Sequence, residues 1–392
     1  MSLSTRLTAP ILVLTCCLLP FSLYAQGGPG SINLFSPDPV SFYLEHAYDN
    51  GSTWASERVA DQGANPIQVY EPYEPNPSLN SAMTGYNDAA GEHVFFFEQT
   101  TVHLYTAYRN SGTGQWSFRD LIKASNFQGY QDFSSNLTSY YDASSGTDNV
   151  YLLSQGGHIY HFSGSNGSWQ VHDVTTQTGN VPMSQGASLL AFSTTGSACC
   201  QRLFFLGSNN DLYYALWNGS SWENAVDLNT TYGVPVASEP KGPLTGYSDA
   251  SGEHIYFEGT DQDIYDLTWN GTWTWTNISQ CHCVPLGTGL GSYSDNVGQH
   301  VFFVNGQIYE FLYKNGVWTK YATGPTNLPC CIGPTPNPIV ALPAFGDDYV
   351  FYSVGTVLYR NISTDGINWT FWIVNPGIAI TNTDRTFTGF ID

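Results

Sequence analysis

Leu244-Thr245-Gly246-Tyr247-Ser248-Asp249 opens a unit that recurs along the whole chain. The last six residues, Phe387-Thr388-Gly389-Phe390-Ile391-Asp392, repeat this opening with nothing after it. Aligning the openings places one aromatic residue in a column at intervals of 45–55 residues, namely Tyr86, Tyr140, Phe192, Tyr247, Tyr293, Phe345 and Phe390. Repeats of this period are typical of propellers and other repeat architectures.

Within each unit, β-rich segments such as His254-Ile255-Tyr256-Phe257 lead to a tight turn. Asn-Gly suits the type I′ turn that reverses adjacent antiparallel strands. The turns are Asn50-Gly51, Asn166-Gly167, Asn218-Gly219, Asn270-Gly271 and Asn315-Gly316, with variants at Ser111-Gly112 and Asp365-Gly366. A tryptophan follows each turn closely, and these are Trp54, Trp116, Trp169, Trp222, Trp273, Trp318 and Trp369.

The N-terminal stretch from Ile32 to Leu44 reads as strands two and three of a unit that lacks its first strand. Residues 387–392 supply the missing strand from the other end of the sequence. The sequence therefore predicts an all-β fold, a seven-bladed β-propeller with four-stranded antiparallel blades, forming a single domain over residues 26–392. The ring closes because N- and C-terminal strands share one blade, which removes exposed sheet edges. We expect the seven tryptophans to pack between blades.

Composition narrows the classes of partner. The net charge is −21 and charged residues make up 11% of the chain, so there is no basic stripe for nucleic acid or anionic membranes. Residues 1–25, with Arg6, an apolar run and Ala25, read as a secretory signal peptide, which predicts a secreted protein, extracellular or periplasmic. No later segment approaches the ~20 apolar residues of a membrane span.

Six cysteines beyond the leader form three tight pairs: Cys199-Cys200, Cys281-His282-Cys283 and Cys330-Cys331. An exported context favours disulfides, whose connectivity the sequence leaves open; bridges within a pair are one option. The alternative of a metal site is disfavoured because the spacing matches no standard zinc pattern. We therefore expect no metal ion and no cofactor.

A catalytic interpretation finds little support. Ala47–Trp54 resembles the Asp-box of sialidases, with Ala47 in place of the serine, but that box is a turn. No recognisable arginine cluster, nucleophile elbow or phosphate loop is present. We expect no enzyme activity. A protein-binding scaffold and, less favoured, a sialidase-like glycoside hydrolase remain the alternatives.

The segments Gly91–Phe96, Gly252–Phe257 and Gly298–Phe303 resemble the fucose-lectin-type β-propellers, including seven-bladed bacterial relatives. The resemblance covers nearly all of the mature chain. It implies sugar sites between blades, each with a basic residue of the second strand, an acidic residue of the third, and an aromatic ring two places after the basic position in the next blade. Charged groups bond sugar hydroxyls, and rings pack against the sugar's C–H face.

Carried over residue by residue, the resemblance implies five sets of sugar contacts: His93 with Thr106 and Tyr151; Asn149 with His161 and Phe204; Arg202 with Tyr214 and Tyr256; His254 with Asp266 and Phe302; His300 with Glu310 and Phe351. Histidine mostly replaces the usual arginine, so fucose specificity does not follow and binding is expected to respond to pH near 6.5. The alternative is that these histidines only bond loop backbone. The function predicted is multivalent recognition of glycans by a secreted lectin. The sequence leaves its oligomeric state open.

Overall fold

The computed structural model describes residues 31–38, 43–49, 54–59, 68–69, 82–98, 100–128, 133–154, 156–165, 167–184, 186–193, 201–239, 242–324, 339–354, 357–374 and 388–391. The predicted leader at 1–25 lies outside these residues. So do four of the six cysteines beyond the leader, Cys199, Cys200, Cys330 and Cys331.

Seven four-stranded antiparallel sheets form the fold, which confirms the predicted seven-bladed propeller. We number the blades in chain order and call the closing one blade 7. Blade 7 contains β1 (Ile32–Pro37), β2 (Leu44–Asp49), β3 (Trp54–Arg58) and the last strand, β28 (Thr388–Ile391). Blade 1 contains β4 (Met83–Asn87), β5 (Gly91–Phe97), β6 (Leu104–Asn110) and β7 (Trp116–Asp120). Blade 2 contains β8 (Phe133–Asp142), β9 (Thr147–Ser154), β10 (Ile159–Ser165) and β11 (Ser168–Asp173).

The remaining four blades repeat the same order. Blade 3 contains β12 (Leu189–Ser193), β13 (Gln201–Leu206), β14 (Leu212–Trp217) and β15 (Val226–Asp227). Blade 4 contains β16 (Leu244–Asp249), β17 (Gly252–Glu258), β18 (Ile264–Trp269) and β19 (Trp273–Asn277). Blade 5 contains β20 (Leu290–Ser294), β21 (Gln299–Val304), β22 (Ile308–Lys314) and β23 (Val317–Ala322). Blade 6 contains β24 (Ile339–Ala344), β25 (Asp347–Val354), β26 (Val357–Ser363) and β27 (Trp369–Ile373).

Short helices follow the fourth strands of blades 1 to 3. They are α1 (Leu121–Ala124), α2 (Val174–Gln177) and α3 (Leu228–Tyr232). Each begins after an aspartate whose carboxylate accepts a backbone N–H of the first turn, namely Asp120, Asp173 and Asp227. Within the described ranges, none of the helices has the length and apolarity needed to cross a bilayer.

The ring closes in blade 7, as the sequence predicted. Strands β1 and β28 pair antiparallel, with Ile32 opposite Ile391 and Phe35 opposite Thr388. The Phe390 ring stacks on Phe35 with ring centroids 5.5 Å apart. The first strand of each blade lies beside the first strands of its neighbours, so these strands line the centre of the ring. Both ends of the described chain are thus held in one sheet.

Crowding near the centre explains the glycine in the repeated opening. A Cβ atom added to Gly246 would lie 2.2 Å from the carbonyl oxygen of His254 on the adjacent strand. A Cβ at Gly389 of the closing strand would lie 2.9 Å from the carbonyl oxygen of Asn33. Glycine lets the two backbones approach at these points.

The hairpin turns agree only in part with the type I′ prediction. Asn315 and Gly316 have φ angles of 56° and 84°, the positive pair that this turn requires. At Asn218-Gly219 and Asn270-Gly271 only the glycine has a positive φ. Trp217 pairs with Trp222 and Trp269 with Trp273, so these loops contain more than two residues. The type I′ prediction is therefore wrong at these two hairpins, because extra residues precede the tryptophan.

Every interface between blades contains the same aromatic contact. The tryptophan at the start of the fourth strand of one blade, or in blade 3 just before that strand, packs edge-on against a ring of the second strand in the preceding blade. Centroid distances run from 5.5 to 6.3 Å in the pairs Phe35–Trp116, Phe95–Trp169, Tyr151–Trp222, Phe204–Trp273, Tyr256–Trp318, Phe302–Trp369 and Phe351–Trp54. Edge-to-face pairs add about 0.5–1.5 kcal/mol each beyond area burial. The predicted role of the seven tryptophans in packing between blades is confirmed.

Candidate functional site

The predicted basic positions of the second strands lie at the blade interfaces and bridge them. In blade 3, Arg202 Nη1 donates to Glu253 Oε1 of blade 4 at 2.5 Å. In blade 4, His254 Nε2 lies 3.2 Å from Gln299 Nε2 of blade 5. The two partners occupy equivalent positions: Glu253 immediately precedes His254, and Gln299 immediately precedes His300. One column of side chains therefore joins successive blades.

At the interface of blades 4 and 5, the structure brings together the predicted pair His254 and Asp266. His254 Nδ1 lies 3.2 Å from Asp266 Oδ1, and Nε2 lies 2.9 Å from Ser251 Oγ. Both side chains are buried. The ring beside them is Tyr256 of the same blade, 6.3 Å from the His254 ring. Phe302 instead packs on Trp369 at the following interface.

At the interface of blades 5 and 6, His300 is enclosed by carboxylates. Its Nδ1 lies 2.5 Å from Glu310 Oε1 and its Nε2 lies 3.0 Å from Asp295 Oδ1. Burial lowers the pKa of His300, but the hydrogen bonds with Asp295 and Glu310 outweigh it and raise that pKa to about 9. Burial raises the pKa of the adjacent Asp348 to about 7. The interface therefore holds a buried imidazolium among acids.

This cluster predicts that stability falls as pH rises from about 6 to 9. A histidine with a raised folded pKa contributes stability that is fully present below about 6.5 and lost as pH rises through its folded pKa. For His300 the loss is expected to be about 3 kcal/mol, measured by urea unfolding at several pH values. The pKa of Asp348 is also raised, so this residue contributes to the loss of stability in the same direction up to pH 7. A His300→Gln variant should show a flatter slope above pH 6.5, whereas His158→Gln, at a side chain that is 41% exposed, should keep it. An unchanged slope in His300→Gln would contradict this account.

The aromatic rings implied as sugar contacts lie in the interior. The exposed fraction is 0% for each of Tyr151, Tyr256, Phe302 and Phe351. Each packs on the tryptophan of the blade that follows its own, and Tyr151 also donates through its hydroxyl to Gln201 of blade 3 at 3.1 Å. The ring that the next blade contributes to an interface is thus its tryptophan. This burial argues against direct sugar contact by these four rings.

A cavity of about 480 Å³ lies between blades 1 and 2. Its lining includes the predicted His93 and Thr106, together with Tyr108, Arg119, Asp148 and Trp169. Thr106 occupies the third-strand position opposite the buried ring. The other blades carry there the larger His161, Tyr214, Glu310, Arg360 and His46, or Asp266, which is similar in size to threonine. The short, uncharged threonine side chain contributes to the space at this interface.

Polar atoms converge on this cavity from both blades. The His93 ring stacks on Tyr86 at 5.0 Å, and its Nε2 has no hydrogen-bond partner among the described residues. The Tyr86 hydroxyl donates to Asp148 Oδ1 at 2.7 Å. Burial raises the pKa of Asp148. Arg119 is exposed and its Nη1 donates to the Gly167 carbonyl at 2.7 Å. Such a set of donors and acceptors beside aromatic rings suits a small polyhydroxylated ligand.

Sequence reasoning missed Arg119, Asp148 and Trp169 as members of this cavity. One signal was present for Asp148. The residue just before each basic position is often acidic, as in Glu92, Asp148, Glu253 and Asp348, and this column meets the basic column of the preceding blade. The sequence predicts only a packing role for Trp169. Its contact with Phe95 confirms that packing, and Trp169 lines the cavity as well.

A loop after blade 4 carries the one cysteine pair within the described residues. The Sγ atoms of Cys281 and Cys283 are 2.02 Å apart, the length of a disulfide bond. The buried Asp263 carboxylate accepts the backbone N–H groups of Cys281 and His282 at 3.0 and 2.7 Å. These bonds fix the short loop against the end of β18.

Comparisons with known proteins place the fold. No protein-family profile matches the chain, and no curated protein matches its sequence. Among solved structures, the BP39L lectin from Burkholderia pseudomallei aligns over 91% of this chain and 96% of its own, with a TM-score of 0.65 and 14% identity. The Aleuria aurantia lectin, described as a six-bladed β-propeller with a novel fucose recognition mode, covers 76% of this chain and 97% of its own at a TM-score of 0.52 and 16% identity. AofleA from Arthrobotrys oligospora covers 78% and 91% at a TM-score of 0.52 and 17% identity. This chain therefore shares the β-propeller architecture of these proteins, with seven blades.

Proposed function

We propose that this protein binds carbohydrate without catalysis, and that the cavity between blades 1 and 2 is its principal site. The cavity itself is the observation that supports the proposal most strongly. Its volume falls in the usual range of about 300–1,000 Å³ for small-ligand sites. A mutant of the similar Aleuria aurantia lectin has been solved in complex with alpha-methyl-L-fucoside.

The chemistry of the lining fits a neutral sugar. Arg119 and Asp148 offer a guanidinium and a carboxylate for hydroxyl groups, and charge-assisted bonds are the stronger kind. The Tyr108 and Trp169 rings line the same space and offer surface for a C–H face. The lining balances Arg119 against the acids Asp88 and Asp148, so it does not select an anionic sugar.

The ionisation of Asp88 also favours binding over hydrolysis. Burial raises the pKa of Asp88, but the neighbouring His93 and the backbone N–H groups of Ala90 and Gly91, which bond Asp88 Oδ1 at 2.8 and 3.0 Å, outweigh burial and lower that pKa. A carboxylate held in its ionised form is a poor general acid.

We further propose that binding is multivalent and that the protein acts outside the cell. The interface of blades 4 and 5, with His254 and Asp266, is the second candidate site because its polar pair lies close to the exposed Ser251. Several weak sites on one ring engage a multivalent surface more tightly than one site does. Residues 1–25 supply the proposed export signal.

An Arg119→Gln variant is expected to lose at least about tenfold in glycan affinity, since a charge-assisted hydrogen bond contributes about 1.5–3 kcal/mol. A glycan array of neutral and fucosylated sugars, followed by calorimetry on the best ligand, measures this. Arg119 is exposed, so unfolding free energy should change by less than about 0.5 kcal/mol.

The matched control is Arg58→Gln, which removes an exposed arginine from the fourth strand of blade 7 and should leave affinity unchanged. Equal affinity in wild type and Arg119→Gln would move the site away from this cavity. Absence of binding to every glycan at pH 5.5 and 7.5 would overturn the function, and turnover of fluorogenic glycosides would restore the hydrolase alternative.

A further inference from the structure

Three potential metal ligands meet in the cavity between blades 1 and 2. His93, Asp88 and Asp148 each offer one ligand atom, and these atoms all lie within 4.8 Å of one another. Two come from blade 1 and one from blade 2. His93 is 9% exposed, and the one contact of its Nε2 with a carboxylate in the described part of the chain is a long ion pair, 3.5 Å from Asp88 Oδ1, without a well-formed hydrogen bond. A buried nitrogen held only by so long a contact can bind a ligand.

The equivalent positions between blades 5 and 6 provide a contrast. Asp295, His300 and Asp348 form the same triad there. Both nitrogens of His300 are already bonded, one to Asp295 and one to the third-strand acid Glu310. In blade 1 the third-strand position holds Thr106, which has no carboxylate to pair with an imidazolium. In the triad between blades 5 and 6, both histidine nitrogens are therefore occupied by hydrogen bonds to carboxylates. In the triad between blades 1 and 2, the histidine Nε2 is available to a ligand.

The distances at the open triad fit a small tetrahedral ion. Zinc binds histidine nitrogen at about 2.0–2.1 Å and carboxylate oxygen at about 2.0–2.2 Å, which sets ligand atoms about 3.4 Å apart. Asp88 and His93 already have a 3.5 Å separation, so only Asp148 has to approach, by about 1.4 Å at most. An imidazole ligand disfavours calcium and magnesium, which take oxygen ligands.

We propose that Asp88, His93 and Asp148 bind Zn²⁺, with the fourth coordination position open to the cavity. Two carboxylates balance the charge of the ion. The Tyr86 hydroxyl, which donates to Asp148 Oδ1 at 2.7 Å, orients that ligand from behind, as outer partners of metal ligands commonly do. Arg119, the guanidinium of the lining, bonds the Gly167 carbonyl. Asp148 also lines the proposed sugar site, but zinc binding is tested without sugar, so its outcome is independent of that proposal.

Calorimetric titration of the EDTA-treated and dialysed full chain with ZnCl₂ tests the proposal. Wild type is expected to bind one Zn²⁺ at this site and to show no comparable heat with CaCl₂. His93→Gln and Asp148→Asn should each weaken Zn²⁺ binding by at least about 100-fold, since even outer partners of ligands contribute about 10–100-fold. Thermal unfolding of each variant in EDTA confirms that it is folded.

The matched control is His282→Gln, because His282 is 71% exposed and belongs to a separate cluster, with Asp261 and the buried Asp263. This variant should keep the wild-type affinity. An affinity lost in His282→Gln, or retained in His93→Gln, would overturn the proposal. Zinc anomalous diffraction from wild-type crystals locates the ion even if a variant fails to fold: a peak between blades 1 and 2 supports the assignment, and a peak elsewhere or none refutes it.

Discussion

A chain that stops at residue 387 is expected to lose about 5 kcal/mol or more of unfolding free energy, which is a large part of the usual total of about 5–15 kcal/mol. The truncation removes β28, and with it the pairing to Ile32–Phe35 and the stacking of Phe390 on Phe35. Each lost hydrogen bond costs about 0.5–1.5 kcal/mol and a large apolar side chain about 1.5–3 kcal/mol. Circular dichroism during thermal or urea unfolding measures the loss.

The control for this truncation is a chain that lacks only Asp392, which should unfold like wild type. A rearranged chain with residues 388–391 and a short glycine linker placed ahead of residue 31 should recover most of the lost stability, since it restores the same strand pairing. A truncated protein with wild-type stability would show that closure in blade 7 contributes little.

Arg202→Met is expected to destabilise the protein by about 3–5 kcal/mol, because removing one member of a buried ion pair leaves the other charge uncompensated. Arg202 and Glu253 are 9% and 1% exposed. The Arg202 guanidinium also lies 4.5 Å from the ring centroid of Trp269 in blade 4. Burial raises the pKa of Glu253 and Arg202 opposes that rise, so without the arginine Glu253 either keeps an unpaired charge or takes up a proton at pH 7, and both cost stability. Urea unfolding at pH 7 measures the effect.

The double variant Arg202→Met/Glu253→Gln should recover at least half of that loss, since it removes the unpaired charge. Arg58→Met serves as the exposed control: this side chain is 46% exposed in its pair with Glu45 and should change stability by less than about 1 kcal/mol. Single and double variants of equal stability would argue that packing on Trp269, and not charge, explains the contribution of Arg202.

The architecture was readable from the sequence because local and long-range signals agree. Tight turns followed by tryptophan marked the fourth strand of each blade, and the orphan opening at Phe387–Asp392 indicated closure. The Tyr256–Trp318 contact and its six counterparts show why the tryptophan recurs: each blade must offer an edge to the same ring of its neighbour. The same packing requirement at each blade interface explains why the same residue, tryptophan, recurs.

The candidate site was less predictable. Residues two apart on a strand share a face, so Asn149 and Tyr151 could be grouped, but strand alternation does not say which neighbouring blade that face meets. The direction of the ring decides it, and Tyr151 meets Trp222 of blade 3 and not His93 of blade 1. The cavity lies where Thr106 stands in place of the larger side chain that most other blades carry. Whether a small residue leaves a space is set by tertiary packing.

The pairing of Ile32 with Ile391 has a mechanical consequence. Strands β1 and β28 run antiparallel, and the first residue of β1 lies opposite the last residue of β28. Tension applied through the two ends of the described chain would therefore act first on this pair. The strands would peel apart one residue pair at a time, at low force, and would not slide past each other under shear. A tether attached through one end alone would leave this seam unloaded and spread the pull over a whole blade.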